Sequence, residues 1–168
     1  MMLSVLNSKE SKDLDQETIA SKDISKNQLI DNAGKAIAYH LIEKIDNPFN
    51  KKILCIAGIG DNGIDAIVCN SYLNGNNINS DLLIINPKKV ASKYLKKYKK
   101  DSKYFTGDDK PNFDDYDWII DGIFGTGLKR DLNSEYFEIT KIISKKKNII
   151  SIDIPTGVYA DSGALSNV

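Results

Sequence analysis

KKILCIAGIGDNGIDAIV, residues 51–68, decides how the chain folds. Lys52–Ala57 is a continuous apolar run bounded by lysine and glycine, the pattern of a central parallel strand covered on both faces. Glycines and carboxylates interrupt it, and apolar residues then resume at helical spacing from about Asn62 to Leu73. Two later segments, Trp118–Asp131 and Ile149–Gly163, repeat the plan of strand first and polar, glycine-containing loop second. Three strand ends therefore hold most of the residues capable of chemistry.

Outward from that stretch, Ser8–Ile19 fits a first helix resting on the surface. Ser25-Lys26-Asn27-Gln28 has the form of a capping box, followed by Leu29, Ala33, Ile37, Leu41 and Ile45 at every fourth position, which predicts a helix with those residues on its inner face. Asp46-Asn47-Pro48 ends it. Asp81–Ile85 reads as a second strand broken by Asn86-Pro87, and Val90, Tyr94 and Tyr98 mark the buried side of a lysine-rich helix. Lys103–Thr106 reads as a short edge strand, Gly107–Asp117 as a surface connection, and Trp118–Asp121 as a buried strand. Asn133 caps a helix turning Tyr136, Phe137, Thr140 and Ile143 inward, and Asn148–Ile152 is the last strand. Alternating strands and helices predict a doubly wound α/β domain, because parallel strands need right-handed crossover helices.

The chain has 168 residues, 41% of them hydrophobic, enough for one substantial core. Its 23 basic and 23 acidic residues cancel, which removes any overall pull toward nucleic acid or anionic membrane. The opening MMLSVLNSKESKD lacks the pattern of a secretory signal, and no stretch reaches the length of a membrane span, so a cytoplasmic setting is expected. Cys55 and Cys69 have no metal-ligand spacing and read as small buried thiols. The single histidine, His40, falls mid-helix, which excludes a multi-histidine zinc site and leaves it a helix-flank residue.

Gly58-Ile59-Gly60-Asp61-Asn62-Gly63 matches the dinucleotide fingerprint G-x-G-x-x-G. A turn that uses its glycines only for backbone geometry is the alternative. The fingerprint also wants an acid at the end of the second strand, where this chain has Asn86-Pro87, and Asp61 and Asp65 put carboxylates where phosphates would sit; ordinary NAD redox chemistry loses ground. With strand order 3-2-1-4-5, the first, fourth and fifth strands are adjacent, and Asp61, Asn62, Asp65, Asp121, Asp153 and Thr156 converge at the carboxyl ends where ligands bind. Each Asp taken singly could equally be a turn former or helix cap. Asn62, Asp121 and Thr156 are hard oxygen ligands that suit a group 1 or group 2 cation. Gly125-Thr126-Gly127-Leu128-Lys129-Arg130 adds flexible backbone and two cations suited to phosphates.

Four motifs in order carry a resemblance. Gly58–Asp65 (GIGDNGID) resembles GPGNNGGD, Asp121–Leu128 (DGIFGTGL) resembles DALFGTGL, Asp153–Gly157 (DIPTG) resembles DIPSG, and Asp31–Ala36 (DNAGKA) resembles ENAGRA. Together they resemble the YjeF N-terminal domain family, the NAD(P)H-hydrate epimerases. The resemblance implies a Rossmann-like three-layer α/β/α sandwich with a mostly parallel central sheet. It implies an isomerase that interconverts the R and S epimers of hydrated NADH and NADPH, NAD(P)HX, in cofactor repair. The expected partner is an ADP- or ATP-dependent dehydratase specific for the S form, in some bacteria fused downstream, and the expected assembly is a homodimer. By matching positions, the ligand would meet Asp61, Asn62, Gly63, Ile64, Asp65, Gly125, Thr126, Gly127, Leu128, Lys129, Arg130, Asp131 and Asp153. A potassium ion, K+, would be held by Asn62, Asp121 and Thr156. Inverting C6 of the hydrated nicotinamide calls for an acid/base group near its hydroxyl, with Asp153 the first choice and Lys129 the second.

The loop departs from the family at Asp61, Ile64 and Ala66; Asp61 adds negative charge, and a bulky Ile64 would hinder close backbone approach. The chain stops soon after DIPTG, so the expectation is one domain over residues 1–168, truncated at its C-terminus. The alternative function is a non-catalytic nucleotide- or RNA-binding scaffold of the same fold, for which Lys88, Lys89, Lys93, Lys96, Lys97, Lys99 and Lys100 would form the patch; a solvated helix face is the plainer reading.

Overall fold

The computed structural model describes residues 6–21, 24–90, 92–98, 103–106 and 109–168. A five-stranded sheet, parallel throughout, runs in the order β3-β2-β1-β4-β5, with β1 Lys52–Ala57, β2 Asn79–Ile84, β3 Tyr104–Thr106, β4 Trp118–Gly122 and β5 Ile149–Ser151. This is the strand order read from the sequence, and the order in which the chain adds strands reverses between β1 and β4.

β1 explains both cores. Ile53, Cys55 and Ala57 alternate with Leu54 and Ile56, all of them fully buried. The first set joins Ile67, Val68 and Leu73 of α3 (Asp61–Gly75), Ile30, Ala38 and Leu41 of α2 (Lys26–Lys44), and Tyr94 and Tyr98 of α4 (Ser92–Tyr98). The second set joins Phe113, Leu128, Leu132 and the Tyr136, Ile139 and Ile143 face of α5 (Ser134–Ile143). Helices on both faces of a parallel sheet make the three layers. Cys55 and Cys69 are free and buried, as their spacing predicts. Among the described residues, no helix is long and apolar enough to cross a membrane.

The Ser25–Gln28 capping box forms, with each side chain reaching the other residue's backbone N–H. The inner face of α2 differs from the predicted one: Ile30, Gly34, Ala38 and Leu41 are buried, while Leu29, Ala33 and Ile37 stand at its rim. Packing rather than hydrophobicity decides this. A methyl on Gly34 would lie 2.5 Å from Val68 Cβ, so α2 approaches α3 more closely than any larger residue permits. On α5, Ile139 takes the buried place and Phe137 is half-buried.

The first helix, α1 (Ser8–Ala20), is closed by its own Asn7–Glu10 capping box and buries no residue fully. It is tied at its start, where the Ser8 backbone N–H and hydroxyl donate to the two carboxylate oxygens of Asp161 at 2.8 and 2.6 Å.

Candidate functional site

The loops after β1, β4 and β5 meet at the carboxyl edge of the sheet, beside the reversal of strand order. Side-chain to backbone hydrogen bonds lock them together. Asn62, in the first turn of α3, donates through Nδ2 to the Ile152 carbonyl at 2.8 Å. Asp153 Oδ2 accepts from the Thr126 backbone N–H at 2.7 Å. Gly125 sits between these groups, where a methyl would fall 2.2 Å from Asp153 Oδ2 and 2.4 Å from Asn62 Nδ2, so only glycine lets the three loops close. Asp153 itself holds the left-handed conformation, φ 68°, a posture uncommon outside glycine, asparagine and aspartate that marks a constrained position.

Asp121, at the end of β4, is only 3% exposed. Its Oδ1 accepts from the Thr156 hydroxyl at 2.6 Å and the Ile123 N–H at 3.2 Å. Its Oδ2 accepts from the Thr156 N–H at 2.8 Å and the Ser151 hydroxyl at 3.3 Å. Burial raises its pKa, and these donors, led by Thr156, oppose the shift. Among the described residues no basic side chain forms an ion pair with Asp121, and no group of three or more His, Cys, Asp or Glu side chains could hold a metal. The chemistry beside Asp121 is one carboxylate with neutral oxygens, a donor set that fits a weakly charged hard cation and not a transition metal.

At the start of α3, Asp61 is exposed and Lys26 Nζ lies 3.2 Å from its Oδ1, so the extra carboxylate of this loop meets a cation from α2. Asp65 is half-buried, and its pKa is pushed up to about 7, chiefly by burial and next by the charge of Asp61. Gly63 and Ile64 are buried, Ile64 within the core against α2 and α3. Its side chain thus points away from the loop surface, and the hindrance expected from its bulk does not arise there.

A cavity of about 690 Å³ opens beside this cluster. Of the residues singled out from sequence, Gly127, Leu128, Lys129, Arg130 and Asp131 line it; the Asp61–Asp65 turn, Gly125, Thr126 and Asp153 lie outside its lining, with Ile59 and Phe124 bordering it from their loops. The sequence reading missed Asn86, Lys89 and Tyr136, which also line it. In the sequence Asn86 reads only as a strand breaker and Lys89 as one of a surface patch; their place after β2, one strand from the reversal point, is the available signal. The Tyr136 ring meets Phe124 edge-on at 4.8 Å, and its buried hydroxyl has no hydrogen-bond partner among the described residues.

Of the other lysines of that patch, Lys93, Lys96 and Lys97 are exposed on α4, and two of them have neighbours. Lys93 lies 3.3 Å from Asn27 Oδ1 and over the Tyr94 ring, and Lys97 is 3.7 Å from Asp31 Oδ1. Lys99 and Lys100 lie outside the described residues.

A family model described as YjeF-related protein N-terminus matches residues 26–168, from the first turn of α2 through all three site loops. The chain belongs to this family. The YjeF-related fold recurs in the crystal structure of yeast ynu0, YNL200c, which superposes with a TM-score of 0.81 over 98% of this chain and 76% of that one at 24% identity. Among YjeF-related relatives, the NAD(P)H-hydrate epimerase of Oenococcus oeni is 30% identical over 94% of this chain and 77% of its own length. The bifunctional NAD(P)H-hydrate repair enzyme Nnr of Dictyoglomus turgidum is 31% identical over 97% of this chain. The chain spans about a third of the length of that bifunctional relative.

Proposed function

We infer that this protein is an NAD(P)H-hydrate epimerase, an isomerase of nicotinamide-cofactor repair. The observation that carries the reading is the hydrogen-bonded junction of Asn62, Asp121, Asp153 and Thr156 at the β1, β4 and β5 ends, set beside a cavity lined by Lys129 and Arg130. The curated YjeF-related relatives of similar length carry the epimerase name, and this chain covers 77% and 79% of two of them.

The geometry suggests a division of labour. Lys129 and Arg130 attract the diphosphate of the dinucleotide. Asp153, exposed at the junction with its Oδ2 bonded to the Thr126 N–H, would exchange a proton with the C6 hydroxyl as its bond to carbon breaks and reforms. Lys129 is the second acid/base choice. Potassium would be held by Asn62, Asp121 and Thr156 and would supply positive charge beside the buried Asp121 carboxylate. A rise in melting temperature with KCl, absent with choline chloride and lost in Thr156→Val, tests that assignment.

The same proposal places a dehydratase specific for the S epimer, ADP- or ATP-dependent, after this step, and it includes a homodimer in a cytoplasmic setting. The scaffold reading is less favoured because the relatives that share these motifs carry enzyme names. The decisive experiment supplies the R epimer of NADHX with an S-specific dehydratase in excess. Faster NADH recovery on adding this protein is expected; recovery at the spontaneous rate overturns the function.

A further inference from the structure

The cavity beside the site runs to the carboxyl end of β2, and the side chain waiting there is cationic. In dinucleotide-binding sheets that strand end meets the adenosine ribose: an acidic residue accepts from the 2′-hydroxyl, whereas a basic one accommodates a 2′-phosphate. Here β2 is followed by Ile85-Asn86-Pro87-Lys88-Lys89, with no carboxylate. Asn86 adopts the left-handed conformation, φ 57°, and opens the 3-10 turn Pro87–Lys89. Asn86 and Lys89 line the cavity, while Lys88 between them does not.

The charge inventory points the same way. Three cations line the cavity, Lys89, Lys129 and Arg130, and among the described residues none forms an ion pair with a carboxylate. Lys129 is near enough to Asp161 to contribute to the lowering of that carboxyl's pKa, which is dominated by the hydrogen bonds from Ser8. The carboxylate in the cavity lining, Asp131, carries its own negative charge, follows Lys129 and Arg130 on their loop rather than Lys89, and has its Oδ1 accepting from the Tyr159 hydroxyl at 3.0 Å. A diphosphate carries two negative charges, matched by Lys129 and Arg130 on their adjacent loop. Lys89, on a different strand end, remains for a further anion.

We propose that Asn86 and Lys89 form a subsite for the 2′-phosphate of the adenosine ribose, so that hydrated NADPH is the preferred substrate over hydrated NADH. The proposal rests on the epimerase reading above for the identity of the substrate, but the subsite itself is a binding property. Calorimetric titration of the protein with adenosine 2′,5′-bisphosphate and with AMP tests it directly. The bisphosphate binds about tenfold more tightly, the effect of one charge-assisted hydrogen bond to phosphate. Lys89→Ala abolishes that difference, and Lys88→Ala, one residue away and outside the cavity, preserves it. Equal binding of the two nucleotides, no binding of either, or a preference that survives Lys89→Ala overturns the subsite. In the coupled assay, kcat/KM for the R epimer of NADPHX exceeds that for NADHX by a similar factor. Turnover of neither epimer with the nucleotide preference intact would overturn the epimerase reading and leave the subsite standing.

Discussion

Lys26 Nζ stands 3.2 Å from Asp61 Oδ1, joining the first turn of α2 to the first turn of α3 at the loop that follows β1. Both side chains are more than half exposed, so the pair adds little to stability. Its effect is on the local field. Asp61→Asn removes a negative charge and releases Lys26, and anionic dinucleotides then bind up to about fivefold tighter at low ionic strength. Lys26→Ala weakens them by a similar factor. Titrations at low and high salt check both, with the two effects shrinking together as salt rises.

Asp65 gives the fold a pH dependence of definite sign. Its folded-state pKa is raised to about 7 from an ordinary value of 3.8. Between those values the folded protein binds more protons than the unfolded chain, so this group makes stability fall as pH rises from about 4 to about 7, and adds no further slope above. Asp65→Asn removes that component. Urea midpoints at pH 5 and pH 8 lie closer together in the variant than in the parent protein; an unchanged difference would exclude Asp65 as its source.

Asp153→Asn keeps a side chain that tolerates φ 68° and can still accept from the Thr126 N–H, but it discards the exchangeable proton site. The expected result is a loss of about a hundredfold in kcat with KM little altered, the size of a missing general acid/base. Normal turnover would pass the role to Lys129.

Gly34→Ala puts a methyl 2.5 Å from Val68 Cβ at the α2–α3 contact. Overpacking there costs about 1–3 kcal/mol, offset in part by the better helix propensity of alanine. Chemical denaturation shows it as a lower midpoint at unchanged slope. Val68→Gly in the same background removes both the Cβ and the Cγ1 that the methyl meets at 2.5 Å and relieves the clash, whereas Val68→Ala removes only the Cγ1 contact.

Much of this could be read from the chain because local chemistry and tertiary demand agreed. β1 spans Lys52–Ala57 in sequence pattern and in structure, and the polar loops after Ala57, Asp121 and Ile152 converge because the strand order 3-2-1-4-5 leaves their strands adjacent. The inner face of α2 went astray because a hydrophobic pattern weights Leu29 and Ile37 above Gly34 and Ala38, whereas close helix packing favours the small residues. Lys89 escaped for a different reason. Charge in a sequence does not say which side of a turn it faces, and only the path of residues 85–89 separates the lysine in the cavity from its neighbour outside.

The tie between Ser8 and Asp161 joins the two ends of the described chain. α1 has no fully buried residue to hold it, and its anchor lies 153 positions later. A cut between β5 and Asp161 would therefore spare every strand of the sheet and still release α1 from this tie.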